Sequence, residues 1–136
     1  MKRIIIKGRG LVEGIAEGEA LVTEEKVKFF LIDPKTGKML KKGHVLEGKT
    51  ISGKILIFPT GCGSTGDSTV LFEMAKSGTG PAGIINLKAE PILVVGAIMG
   101  GIPYVDRPDK NPMDCVETGD YVKLNGKNGL IRVLKS

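Results

Sequence analysis

The residues best placed to do chemistry lie in one stretch, Pro59-Thr60-Gly61-Cys62-Gly63-Ser64-Thr65-Gly66-Asp67-Ser68, where three glycines alternate with four hydroxyl side chains and a thiol. Glycine allows positive φ and lets another molecule come close to the backbone. The apolar run Lys54 to Phe58 precedes the stretch and reads as a buried strand. A helical pattern follows, with Val70, Leu71, Met74 and Ala75 on one face. The first turn of a helix leaves backbone N–H groups unpaired at its positive end, which suits a carboxylate or phosphate. The stretch therefore reads as a loop that holds an anion and presents Ser64 at its rim. The plainer reading is a strand-to-helix turn in which Asp67 or Ser68 caps the helix, and residue types alone do not separate the two. No Gly-Lys-Ser/Thr follows the glycines, so the loop is not a Walker A phosphate loop. Cys62 could act as a nucleophile at a helix N-terminus, but no histidine stands near it in sequence to take its proton.

The elements that must position this loop follow in order. Lys2 to Lys7 is a strand with Ile4-Ile5-Ile6 as its apolar centre. A segment punctuated by Gly8, Gly10, Gly14 and Gly18 leads into a short strand over residues 18–22, and residues 27–32 predict another. Asp33-Pro34-Lys35-Thr36-Gly37 is a tight turn, with Pro fixing φ and Gly completing the reversal. Lys38 to His44 is basic and predicted exposed, with His44 a surface or interface residue. The helix after Ser64 stops near Ser77-Gly78. Residues 82–87 form a buried strand, and Glu90-Pro91 opens a second helix, with Pro at its first position and Glu favoured by the dipole. The run Ile92 to Ile98 is apolar on all sides and ends at Gly100-Gly101. Residues 102–105 read as a short central strand, and Asp106-Arg107-Pro108-Asp109 as a solvated turn. Residues 121–124 and 130–134 close the chain as a hairpin around Asn125 to Gly129. This order predicts a mixed α/β domain, with barrel-like strands packed beside a small βαβα unit. No linker or repeat interrupts it, so residues 1–136 read as one domain.

Composition narrows the functions. Twenty Lys/Arg against fifteen Asp/Glu give +5, which favours an acidic partner, a phosphorylated metabolite or a nucleic acid. Arginine is scarce, and six aromatics with no Trp offer little for stacking bases, so a dedicated nucleic-acid binder is disfavoured. Cys62 and Cys115 are far apart and His44 is the only histidine, too few groups for a zinc site or an iron–sulfur cluster within this chain. Met1-Lys2-Arg3 runs directly into a strand with no signal-peptide core, and the longest apolar stretch, residues 91–99, is short of a membrane span. A cytoplasmic protein with reduced thiols, no nucleic acid and no membrane is expected.

Five segments then occur in an order that belongs to one family: Gly18-Glu19-Ala20-Leu21-Val22, Asp33-Pro34-Lys35-Thr36-Gly37, His44-Val45-Leu46-Glu47-Gly48, Pro59-Thr60-Gly61-Cys62-Gly63-Ser64 and Ala89-Glu90-Pro91-Ile92. On these the chain resembles the small, swivelling-domain subunit of the aconitase X family. The resemblance implies a swivelling β/β/α fold. It implies a large subunit that carries an iron–sulfur cluster on its own cysteines, none being bound by this chain. It also implies a hydro-lyase. Archaeal members dehydrate (R)-5-phosphomevalonate to trans-anhydromevalonate 5-phosphate in a modified mevalonate pathway, and bacterial relatives act on hydroxyproline-type substrates. Ser64 matches the family's active-site serine, with Gly61, Cys62, Gly63 and Thr65 lining the substrate around it. Elimination of water needs a base for the proton beside a carboxylate and a Lewis acid for the departing hydroxyl. A serine serves as that base only if its alkoxide is stabilised, here by a helix N-terminus and the N–H groups of Gly63 and Thr65. Many members carry a basic residue where this chain has Cys62. If that residue holds an anion, another cation must replace it, and Arg9 in Gly8-Arg9-Gly10 is the candidate. Expected partners are the large subunit and a small phosphorylated substrate. The rival readings are a non-catalytic module for an anion or a protein, and a dehydratase of another hydroxy acid. A phosphohistidine carrier is disfavoured by the Lys-rich surroundings of His44.

Overall fold

In a computed structural model, which describes residues 2–135, five strands open and close the chain and three more alternate with helices. The order is β1 (Lys2–Lys7), β2 (Arg9–Val12), β3 (Ile15–Val22), a 3-10 turn (Phe29–Leu31), β4 (Ile55–Phe58), α1 (Thr65–Ser77), β5 (Gly83–Asn86), α2 (Pro91–Gly100), β6 (Tyr104–Asp106), α3 (Pro112–Cys115), β7 (Tyr121–Asn125) and β8 (Leu130–Lys135). Met1 and Ser136 lie outside the described residues. The strands make one sheet in the order β1-β8-β7-β3-β4-β5-β6-β2. Its two edges, β1 and β2, are consecutive in sequence and joined by Gly8 alone, so the sheet must curl until its edges meet. Side chains are excluded along that seam. A Cβ on Gly10 would lie 2.4 Å from the Gly126 carbonyl oxygen, and one on Gly126 would lie 1.9 Å from that of Val12. The barrel-like strands expected from the order of the elements are therefore present.

Strands β3, β4, β5 and β6 run parallel, and α1 and α2 are the crossovers between β4, β5 and β6. A parallel strand covered on both faces reads as a continuous apolar run. Ile55-Leu56-Ile57-Phe58 is one, and all four residues are buried. Leu56 and Phe58 pack with Leu71, Met74 and Leu93 under the helices, while Ile55 and Ile57 pack with Val122, Ile131 and Val133 on the other face. The barrel half and the βαβα half thus share the central strands.

Several sequence expectations need correction. Residues 27–32 do not form a strand: Phe29–Leu31 is a 3-10 turn, flanked by single bridges from Val27 to Gly61 and from Ile32 to Met39. Apolar content was right there, since Phe29 is fully buried, but the chain must bend around the N-terminus of α1. The strand expected over 18–22 begins at Ile15, and Arg9–Val12 forms a separate edge strand. Strand β6 lies one place from the sheet edge. His44 is buried within its basic loop: its Nδ1 accepts from the Leu46 N–H, leaving Nε2 to donate to the Lys26 carbonyl. Asp106, expected in a solvated turn, is fully buried at the end of β6.

One buried polar pair has a consequence for pH. The Tyr104 hydroxyl donates to the Asn86 side-chain oxygen, and the Asn86 amide donates to the Phe58 carbonyl at 3.0 Å. Burial, reinforced by the Asp106 and Glu90 carboxylates, pushes the phenol well above its ordinary value. The unfolded chain loses that proton near pH 10 while the folded chain keeps it. Stability from this group is therefore complete below pH 10 and lost as pH rises toward the raised value. Tyr104→Phe is expected to flatten that alkaline loss in pH-dependent thermal denaturation, at a cost of about 1–3 kcal/mol near neutrality for the orphaned Asn86 oxygen.

Candidate functional site

The loop after β4 lies at the carboxyl ends of the parallel strands, where open α/β sheets place their ligands. Gly61 pairs with Val27 as a parallel bridge, and Gly63 has φ of 78°, a conformation natural to glycine. Ser64 then turns extended (φ −89°, ψ 136°) and is itself the N-cap of α1, a role neither Asp67 nor Ser68 takes. Its Oγ accepts from the Gly66 N–H at 3.2 Å, and its carbonyl accepts from the Asp67 N–H at 3.0 Å. Ser64 is half-buried between exposed Gly63 and Thr65. The hydroxyl therefore has one aimed backbone donor and a rim position, and that donor belongs to Gly66.

Two walls flank Ser64. On one side Glu90 caps α2, its carboxylate accepting from Ile92 N–H at 3.0 Å and Leu93 N–H at 2.8 Å. A Cβ on Gly63 would lie 3.5 Å from Glu90 Oε2, an ordinary contact, so the positive φ rather than crowding is what calls for glycine beside this carboxylate. On the other side the Phe30 ring lies 3.1 Å from where a Gly66 Cβ would be. Phe30 is 63% exposed, and its N–H donates to Asp67 Oδ1 at 2.9 Å. Asp67 is buried, and its Oδ2 has no partner among the described residues. The field at Ser64 is mixed: the α1 dipole and the Gly66 N–H favour an alkoxide, while the Asp67 carboxylate in the same turn opposes one.

The remaining sequence candidates sit as follows. Cys62 is exposed, with its sulfur 3.9 Å from the Val27 carbonyl. Arg9 opens β2 and forks onto Asp106, Nε to Oδ1 at 2.9 Å and Nη2 to Oδ2 at 3.0 Å. That pairing raises the guanidinium pKa. Asp106 Oδ2 also accepts from the Ala89 N–H at 2.9 Å. Arg9 thus connects to the loop through Asp106, Ala89 and Glu90. Sequence reasoning missed Phe30, and it read Asp67 as a helix cap and Asp106 as a turn residue. The signal for Asp106 was its place at the end of a buried strand, at the same carboxyl end of the parallel strands as Ser64. Among the described residues no three His, Cys, Asp or Glu side chains converge on a possible metal position, so this chain's donors do not fit a cluster.

One spacing was also missed: Gly61, Gly63 and Gly66 match G-x-G-x-x-G between a strand and a helix. Two observations separate it from a dinucleotide site. Glu90 places a carboxylate beside Gly63, where a pyrophosphate would approach. The position about twenty residues on that would bind a ribose is Asn86, buried and engaged with Tyr104 and Phe58.

Comparison with known proteins decides the family. The aconitase X swivel domain model matches residues 5–133. The chain belongs to the aconitase X swivel-domain family. The phosphomevalonate dehydratase small subunit of Methanosarcina acetivorans is 45% identical over 99% of this chain and 94% of its own length. Its counterpart in Methanocella arvoryzae is 46% identical over 94% of this chain and 98% of its own length. A chain of the holo-form crystal structure of Thermococcus kodakaraensis aconitase X superposes with a TM-score of 0.89 at 36% identity, covering 97% of this chain and 99% of that one. The swivelling fold and the family expected from the five segments are both borne out.

Proposed function

We propose that this swivel-domain chain is the small subunit of a phosphomevalonate dehydratase, supplying Ser64 to an active centre completed by a large subunit that holds the iron–sulfur cluster. The reading is supported above all by near-full-length identity to chains that bear that name. The site is consistent with it: a half-buried hydroxyl, one backbone donor and a helix dipole, at an open rim. In this reading Ser64 Oγ, as alkoxide, takes the proton from the carbon beside the substrate carboxylate. The C–H electron pair becomes the new C=C bond, and the hydroxyl on the neighbouring carbon departs with its bonding pair as hydroxide, which with the proton then held on Ser64 makes up the water released and restores the alkoxide. The Gly66 N–H and the α1 N-terminus stabilise the negative oxygen before the transfer. Gly61, Gly63 and Thr65 offer backbone close to the substrate, and Cys62 stands exposed beside them. Arg9 replaces the missing loop cation for the phosphate, through the guanidinium edge that Asp106 leaves free.

The test is reconstitution. The purified chain alone is expected to turn over no 5-phosphomevalonate, and adding the large subunit of the same organism is expected to yield the anhydro product, followed by phosphorus and proton NMR. Turnover by the lone chain, or none by the reconstituted pair on this substrate with turnover of another hydroxy acid, overturns the assignment.

A further inference from the structure

Arg107 is the one residue other than glycine with positive φ among the described residues, at φ 50°. That region is unfavourable for any side chain with a Cβ, which there crowds the following carbonyl oxygen. The fold does not call for arginine at this place. Arg107 is exposed, its backbone N–H donates to the Leu87 carbonyl at 3.1 Å, and glycine would make the same bond without strain. Strained backbone that persists points to a functional constraint, and here the only group the strain preserves is the guanidinium.

That guanidinium emerges at the end of the sheet that carries Ser64. Strands β4, β5 and β6 end in register, with Phe58 opposite Asn86, and Ile85 opposite Val105 one step before Asp106. Just beyond, the Pro59 carbonyl accepts from the Leu87 N–H at 3.1 Å and the Lys88 N–H at 3.2 Å, and Arg107 is tied to Leu87 in turn. Pro59 opens the serine loop. Charge is unevenly matched along this end. Arg9 and Asp106 cancel each other through two hydrogen bonds, and the Glu90 carboxylate is taken up by the first turn of α2. Lys88 and Arg107 are exposed and have no ion-pair partner among the described residues. A phosphate monoester carries about −1.5 to −2 charges at neutral pH. The Arg9–Asp106 pair, neutral as a unit, does not offset them; Lys88 and Arg107 do.

We propose that Arg107, with Lys88 in the neighbouring loop, is a phosphate-binding site at the carboxyl end of the parallel strands, beside the free edge of Arg9. The planar fork of an arginine grips two phosphate oxygens at once, which a lysine does not. The proposal deepens the function given above and rests on it for the identity of the phosphorylated substrate.

The probe is inorganic phosphate, titrated by calorimetry into the full chain reconstituted with the large subunit of the same organism. Arg107→Gly is the decisive variant, because a structural role and a binding role predict opposite results. If the arginine served the fold, glycine would lower Tm. With binding as its role, the variant is expected to melt no lower than wild type and up to about 4 °C higher, while phosphate affinity falls roughly tenfold or more. KM for 5-phosphomevalonate should rise by a similar factor. Arg107→Lys, which keeps the charge and loses the fork, should fall between the two. Lys35→Ala removes the same charge from the turn at the far end of α1, where the Pro34 carbonyl accepts from the Thr79 hydroxyl. It should leave phosphate affinity within about twofold. Unchanged affinity in Arg107→Gly, a clearly lowered Tm in it, an equal loss from Lys35→Ala, or a wild-type pair that takes up no phosphate each overturns the proposal. Failure of the substrate assignment reads differently: a pair that turns over only an unphosphorylated acid, yet binds phosphate through Arg107, loses the assignment and keeps the site.

Discussion

Ser64→Asn in the reconstituted two-subunit enzyme is expected to lose turnover by about 10²- to 10⁴-fold, the usual worth of a positioned general base, while the chain melts as wild type does. Ser64 has two separable jobs in the proposed enzyme. As N-cap, its oxygen accepts the Gly66 N–H, and asparagine performs that task as well as serine. As base, it needs a hydroxyl that can give up its proton, which an amide oxygen cannot replace. Ser64→Ala removes both functions, so it should lose the same turnover and in addition about 0.5–2 kcal/mol of stability from the uncapped helix. The loss should appear in kcat with KM little changed, because the proton transfer is made in the transition state. An active Ser64→Asn enzyme would reduce the serine to a cap and would leave the non-catalytic module as the better account of this chain.

The sequence made the fold legible where one physical force dominated. Ile55 to Phe58 announced a strand buried on both faces, and Gly78 and Gly101 stopped their helices with φ of 76° and 69°. Glu90 was legible as a helix start because Pro91 follows it. Where a residue's neighbours come from distant segments, the local pattern misled. His44 sits among lysines and so reads as exposed, yet its ring is buried by hydrogen bonds to Lys26 and Leu46. Asp106 stands before Arg107-Pro108-Asp109 and so reads as a turn, yet its partners are Arg9, 97 residues earlier, and the backbone of Ala89. At the site the loop and its serine were visible, because glycine and hydroxyl spacing is local. The two walls were not. Phe30 reaches the first turn of α1 only because residues 27–32 bend instead of continuing as a strand, and that bend is fixed by Asp67 accepting the Phe30 N–H.

Asp106→Ala is expected to be the most damaging single change near the site that touches neither substrate nor serine. The carboxylate is fully buried and holds three donors, two from Arg9 and one from Ala89. Its removal orphans the Ala89 N–H, which alone costs about 1–3 kcal/mol, and frees the residue next to Glu90, whose side chain spaces the loop at Gly61 and Gly63. Arg9→Ala is the sharper probe, because it leaves that buried carboxylate without its cation. Orphaning a buried charge is worse than removing the pair, so Arg9→Ala should melt lower than the double variant Arg9→Ala with Asp106→Asn. The double variant then separates two roles for Arg9. If the guanidinium only braces Asp106, KM for 5-phosphomevalonate should return toward wild type along with the Tm. If its free edge also holds the phosphate, as proposed, Tm should recover while KM stays raised by roughly tenfold or more, the usual worth of a charge-assisted hydrogen bond. Arg9→Lys should behave like the second case, since an ammonium cannot serve Asp106 and an anion through one planar fork.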